Sequence, residues 1–237
     1  MKKELFNGNA IPYDLSFEEL NRMLFSDDMT EFCLACEALS CRDDSESFNA
    51  LKSFLKHPDK YRRLYAMKTV FRNPASAELQ YVLEEALASG DPLFINAACE
   101  ILAEKSFGVD ENILRSAVKS HLPDIHAGSL FALKTLSPSE ANYAFLLKLF
   151  RASSHSSGKE ILGKLLMNKY LPEKAEKLFA EFRSSDFSAV RMLAVAIGKE
   201  YGLDLSVFCS DVDGHIRNAA SCKKSTTQMS KGLGERI

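Results

Sequence analysis

A small residue recurs along this chain at intervals close to 31, each time inside a segment with the hydrophobic period of a helix. The positions are Cys36, Ala66, Cys99, Ser129, Gly163, Ala194 and Ala220, with spacings of 30, 33, 30, 34, 31 and 26. Stacked helices approach closely only where a side chain is small. A contact repeated layer after layer therefore needs the same small site each time. The helical period itself is explicit. Leu79, Val82, Leu83, Ala86 and Leu87 fall at i, i+3, i+4, i+7 and i+8, which is one face of a helix. Ile113, Leu114, Ala117 and Val118 repeat the pattern, as do Ala175, Leu178, Phe179 and Phe182. No stretch alternates as a strand does.

Short breaks divide the pattern into pairs of helices. They are 16–25 with 29–40, 45–56 with 59–72, 75–88 with 92–105, and 110–121 with 124–136. Then follow 138–151 with 157–169, 172–183 with 187–201, and a short last pair, 203–209 with 214–223. Ser16 with Glu19 and Ser137 with Glu140 have capping-box spacing. Pro74, Pro138 and Pro172 stand where a first helical residue, whose N–H has no intrahelical use, is expected. The organisation read from this is a lead-in over 1–13, one all-α domain over 14–224 and a flexible tail over 225–237. A plain helical bundle is the alternative architecture, but it does not require a spacing near 31.

The 237 residues are 46% hydrophobic and 26% charged, enough for a sizeable core. No apolar run approaches the ~20 residues of a membrane span. Lys2 and Lys3 are not followed by a signal-peptide core, so a cytoplasmic location is expected. Six scattered cysteines in a chain with ample core read as reduced thiols. Cys33, Cys36 and Cys41 lack a fourth zinc ligand and are expected to be packing residues. Glycine-rich phosphate loops, nucleophile elbows and the His-Glu-x-x-His pattern do not occur. Catalytic residues, metal and cofactor are therefore not expected.

The segment Asp186-Phe187-Ser188-Ala189-Val190-Arg191-Met192-Leu193-Ala194 places an aspartate at a turn, then a hydrophobic-Arg pair, then a small residue. Ile216-Arg217-Asn218-Ala219-Ala220 repeats its core, and Asp91-Pro92-Leu93-Phe94-Ile95-Asn96-Ala97-Ala98 keeps the turn with Asn96 at the arginine position. This resembles the second-helix pattern of HEAT repeats. The resemblance implies a right-handed α-α superhelix, a solenoid of about seven HEAT-like helix pairs. It also implies a non-catalytic scaffold whose concave surface binds another macromolecule, and arginines that bond to turn aspartates of adjacent layers. Cys33, His126 and Glu160 depart from the pattern at the arginine position. HEAT-like DNA alkylation-repair glycosylases are the competing reading, with HEAT-like bilin lyases behind them. A glycosylase site needs base-stacking aromatics and a basic groove, and this chain has no tryptophan.

Charge is segregated. Residues 1–50 carry 4 basic and 11 acidic side chains, residues 51–75 carry 7 and 1, and residues 76–124 carry 3 and 9, although the net charge is only −2. The basic block is Lys52, Lys56, Lys60, Arg62, Arg63, Lys68 and Arg72. It reads either as a patch for an acidic partner or as compensation for its acidic neighbours. The expected partner is a protein, an acidic one by this patch, and neither nucleic acid nor a membrane. The candidate contact residues are Lys60, Arg62, Arg63, Asn96, His126, Arg191 and Arg217. On this reading Lys60, Arg62 and Arg63 are surface side chains whose reversal leaves the fold intact.

Overall fold

The computed structural model describes residues 5–6, 8–105, 107–122 and 126–221. The tail expected over 225–237 and the thiol of Cys222 lie outside them. The chain divides into two compact units, Met1–Phe145 and Leu146–Ile237.

The regular elements among the described residues are helices, apart from one short antiparallel pairing of β1 (Leu5–Phe6) with β2 (Asn9–Ala10). Gly8 supplies the left-handed turn residue between them, at φ +83°. The described residues of the lead-in thus include a short paired segment. The Phe6 ring sits edge-on against Tyr65, with centroids 5.7 Å apart.

In the first unit the pairs are α1 (Phe17–Leu24) with α2 (Met29–Ser40), α3 (Ser45–Ser53) with α4 (Lys60–Val70), and α5 (Gln80–Ala88) with α6 (Pro92–Glu104). They are followed by α7 (Glu111–His121) and a 3₁₀ segment over Ala127–Thr135. Second members touch in succession: α2 on α4, α4 on α6, and α6 on the 3₁₀ segment. First members touch as α1 on α3 and α5 on α7. The second unit holds α9 (Ser156–Tyr170), α10 (Ala175–Arg183), α11 (Ser188–Tyr201) and α12 (Gly214–Ser221), where α9 packs on α11 and α11 on α12. The division between units falls within α8 (Glu140–Ala152).

Local chemistry starts these helices where the sequence places them. Ser16 and Glu19 form the reciprocal capping box. Asp28, Asp59, Asp91 and Asp110 each accept a backbone N–H from the first turn that follows, at 2.7, 2.8, 3.0 and 2.6 Å. Such caps are worth about 0.5–2 kcal/mol each.

Three expectations need correction. The cap of α8 is Ser139, whose Oγ accepts from Asn142 N–H at 3.2 Å, and not Ser137. The Ser137 N–H is instead taken by the Glu111 carboxylate at 2.6 Å. Neither Pro138 nor Pro172 begins a helix: Pro138 precedes the Ser139 cap of α8, and Pro172 follows a cis peptide bond, with α10 starting at Ala175. The helix expected over 124–136 is wound as a 3₁₀ helix over Ala127–Thr135. Its first turn is set by the Ser129 N–H donating to the His126 carbonyl at 2.9 Å. Gly128 in that turn weakens the α alternative.

Within each unit the small-residue positions are enclosed, with Ala220 the exception. Cys36, Ala66, Cys99, Ser129 and Ala194 are fully buried, Gly163 is buried, and Ala220 is half-buried. Large side chains fill the space around it. Phe32 lies 5.2 Å from Phe54 in the first unit and Phe150 lies 5.1 Å from Phe182 in the second, centroid to centroid. Among the described residues no buried side-chain nitrogen or oxygen lacks a hydrogen-bond partner.

Candidate functional site

The turns inside several of the helix pairs carry a recurring polar device. A side chain two residues before the helix cap accepts the N–H of the cap residue. Ser26 does so for Asp28 at 3.1 Å, His57 for Asp59 at 3.0 Å, Ser89 for Asp91 at 3.1 Å and Asp211 for Asp213 at 2.8 Å. These contacts close the turn and leave its carbonyls pointing outward. Arginine then collects the carbonyls. Nη1 of Arg63 donates to the His57 and Pro58 carbonyls at 2.7 and 2.9 Å. Nη1 of Arg191 donates to Ser185 and Asp186 at 2.9 and 3.0 Å. Nη1 of Arg217 donates to Asp211 and Val212 at 2.5 and 3.2 Å. In all three the acceptors lie six and five residues back, so one geometry recurs in both units. A planar guanidinium with five donors suits two convergent carbonyls and still has an edge free.

Arg191 uses that edge. Its Nε and Nη2 donate to the two oxygens of Asp211, at 2.7 and 2.9 Å, in a pair whose side chains are only 12% and 7% exposed. The guanidinium holds the Asp211 carboxyl below the usual carboxylate range. The carboxylate thus comes from the turn of the adjacent helix pair, whereas Asp186, in the turn before α11 itself, contributes a backbone carbonyl.

The basic block is largely engaged within the first unit. Lys52 pairs with Glu78 at 2.5 Å, Lys60 with Asp91 at 2.5 Å, Lys68 with Glu100 at 2.8 Å, and Arg72 with Glu37. Each acidic partner comes from a neighbouring helix pair, so the block compensates the acidic segments on either side. Arg62 points back into the first pair. It donates to the Leu24 and Ser26 carbonyls at 3.2 and 2.5 Å and lies over the Phe32 ring at 4.9 Å.

Arg62 and Arg63 are therefore half-buried turn locks and not the surface side chains expected, and their reversal is expected to destabilise the fold. Arg62→Glu strips two carbonyls of their donor and sets a carboxylate on an aromatic face. It is expected to cost about 1–3 kcal/mol. Lys68→Ala removes only an exposed ion pair and is expected to cost under ~1 kcal/mol. Equal denaturation midpoints for the two variants would contradict this assignment.

The remaining candidates are spread along the second helices. Asn96 is buried. Its Nδ2 donates to the Pro92 carbonyl at 2.9 Å and its Oδ1 accepts the His126 N–H at 2.8 Å, which ties α6 to the 3₁₀ segment. The His126 ring is exposed, with Nδ1 3.9 Å from a Glu100 oxygen. Between α4 and α2, the Tyr65 hydroxyl donates to Glu37 at 2.6 Å, and burial pushes that phenol up. Cys33 and Cys36 lie in the core, where burial pushes the Cys33 thiol up to about 11 and that of Cys36 further. Cys41 and Cys209 are exposed. Among the described residues no three His, Cys, Asp or Glu side chains converge as metal ligands do.

Sequence reasoning showed none of the concave features of the described residues. One of them is a pit of about 210 Å³ between α4, α5, α6 and the short 3₁₀ turn Phe54–Lys56 that follows α3. Leu55, Met67, Val82 and Phe94 supply apolar wall, and Arg63, Glu85 and Ser89 are its polar lining. The Arg63 guanidinium sits 5.7 Å from the Phe94 ring centroid. The legible signal was the residue two before the capping aspartate: Ser89 before Asp91, against Asp211 before Asp213.

No family model matches this chain, and no curated protein matches it at a significant level. Among the described residues no helix is long and apolar enough to cross a membrane.

Proposed function

We propose that the chain is a non-catalytic binding protein, a HEAT-like α-solenoid that presents its second helices and their turns to another protein. The observation that carries this reading is the repeated arginine geometry. Arg63, Arg191 and Arg217 each lock the turn before their own helix through the same two carbonyls. The successive contacts of second members within each unit support it as well. An array of this kind offers a few outward side chains per layer over an extended surface. Exposed apolar residues stand at matching places in it: Tyr61 and Leu93 are each two residues past a capping aspartate and are 61% and 42% exposed.

The basic residues that a phosphate backbone would need are mostly engaged with carboxylates and turn carbonyls, which favours a protein partner. The test is native capture of the full chain from its own cells, with nuclease-treated and untreated arms and mass spectrometry. A discrete protein retained in both arms is the expected result. Retention of nucleic acid alone, with steep salt dependence, would overturn the reading in favour of a nucleic-acid protein.

A further inference from the structure

We propose that the pit beside Arg63 is a receptor for a carboxylate next to an apolar side chain, so that it takes an acidic segment of a partner protein. This rests on the binding reading above and names the chemistry of one of its contacts.

The argument is a comparison of like with like inside one chain. Arg63 and Arg191 lock their turns through Nη1 in the same way. In the second unit the Nε and Nη2 edge is filled by Asp211, which sits two residues before the cap of the next helix pair and also accepts that cap's N–H. The residue in the corresponding place beyond Arg63 is Ser89, which accepts the N–H of Asp91 in the same manner. Serine closes the turn but offers no carboxylate. The neighbouring acid does not substitute, because Asp91 is held by Lys60 at 2.5 Å. Among the described residues Nε and Nη2 of Arg63 thus bond to no carboxylate, and Arg63 and Ser89 line the same pit.

A guanidinium edge that is bidentate elsewhere in the chain and vacant here is a site for an incoming anion. The rest of the pit says what should accompany it. Leu55, Met67, Val82 and Phe94 form an apolar wall around about 210 Å³, room for one large aliphatic or aromatic side chain. Glu85 also lines the pit and forms no ion pair with Arg63. It disfavours ligands with more than one negative charge close together and suits the N–H of a peptide backbone. A segment such as Leu-Asp or Phe-Glu meets all three demands, with its carboxylate standing where Asp211 stands for Arg191.

The test uses the full chain carrying ¹³C-methyl methionine, with the Met67 methyl assigned by Met67→Leu. The probes are acetyl-Leu-Asp-amide and acetyl-Leu-Asn-amide, which differ in the carboxylate alone. The aspartyl probe is expected to move the Met67 methyl to saturation with a Kd of about 1 mM, a fragment's affinity. The asparaginyl probe should bind roughly tenfold more weakly. Ser89→Asp supplies the missing internal carboxylate. It should abolish the response while holding or raising thermal stability, whereas Ser89→Asn keeps it. The proposal is overturned by a Met67 methyl that neither probe moves. It is equally overturned by equal shifts from both probes, or by Ser89→Asp binding like wild type. Any of these failures leaves a captured protein partner in place, since capture is measured separately. Capture of nucleic acid alone beside a positive probe response would sink the broader reading and not this site.

Discussion

Asp211→Ala is expected to lower the stability of the protein by about 2–3 kcal/mol, the upper range for stripping a largely enclosed, charged group of its hydrogen-bond partner. Asp211 is unusual in serving three groups at once. It accepts from Nε and Nη2 of Arg191 and from the backbone of Asp213. Its own carbonyl receives Nη1 of Arg217. Deleting the side chain strands the Arg191 guanidinium in a site where that side chain is only 12% exposed. Asp211→Asn keeps the acceptor for Asp213 but loses the charge, and its cost should fall between that of alanine and wild type.

The same pair sets a pH dependence. The Arg191 hydrogen bonds hold the folded Asp211 carboxyl below its ordinary value, so the stabilisation is fully present above the unfolded value near ~3.9. It is lost as pH falls from there through the lower folded value. The stability difference between wild type and Asp211→Asn should therefore be constant near neutrality and shrink under acid. Urea midpoints measured across that range test it, and a difference that persists unchanged into strong acid would contradict the ion pair.

The second large effect concerns the packing column. Ala194→Leu should cost about 1–3 kcal/mol or somewhat more, because the site has no room for added methylenes. Ala194 is fully buried on α11. The crowding there is visible at Gly163, on the facing helix α9. A Cβ built at Gly163 would approach Leu193 Cδ1 to 2.7 Å, with Phe182 Cζ at 3.5 Å and Phe150 Cε2 at 3.8 Å. Gly163→Ala is the milder control, since the tip of Leu193 can turn aside and alanine favours a helix by ~1 kcal/mol. At Ala194 a whole isobutyl group must enter, and the stacked helices themselves must separate. Thermal unfolding should show a drop of roughly 2–4 °C for each kcal/mol lost. A midpoint equal to that of wild type would remove the column as a packing feature.

These features differ in how far they can be read from sequence. Helix positions are local: the apolar period of Leu79 to Leu87 and a capping aspartate such as Asp59 or Asp91 act within one or two turns. The read boundaries fall within a few residues of the observed ones for that reason, as at α2 over Met29–Ser40. The small column was legible because close contacts between neighbouring second helices within a unit impose the same steric demand. What the basic side chains do was not legible, because it depends on which residues a neighbouring pair brings alongside. Arg62 bonds to carbonyls 38 and 36 residues away, and nothing around Arg62 in sequence distinguishes that from a solvent-facing role. Even the 3₁₀ winding of Ala127–Thr135 depends partly on a distant group, the Asn96 amide that holds the His126 N–H. The difference between Ser89 and Asp211 is present in the sequence, but it acquires meaning only through the arginine geometry, in which the two residues occupy the same structural place.

The most direct measurement of the binding account is backbone hydrogen exchange on the captured complex, compared with the free chain. The account predicts new protection in the second helices and their turns, including 57–63 and 89–96, while the outer faces of α3 and α5 exchange as before. Protection confined to the first helices, or no protected segment at all in a stoichiometric complex, would contradict it.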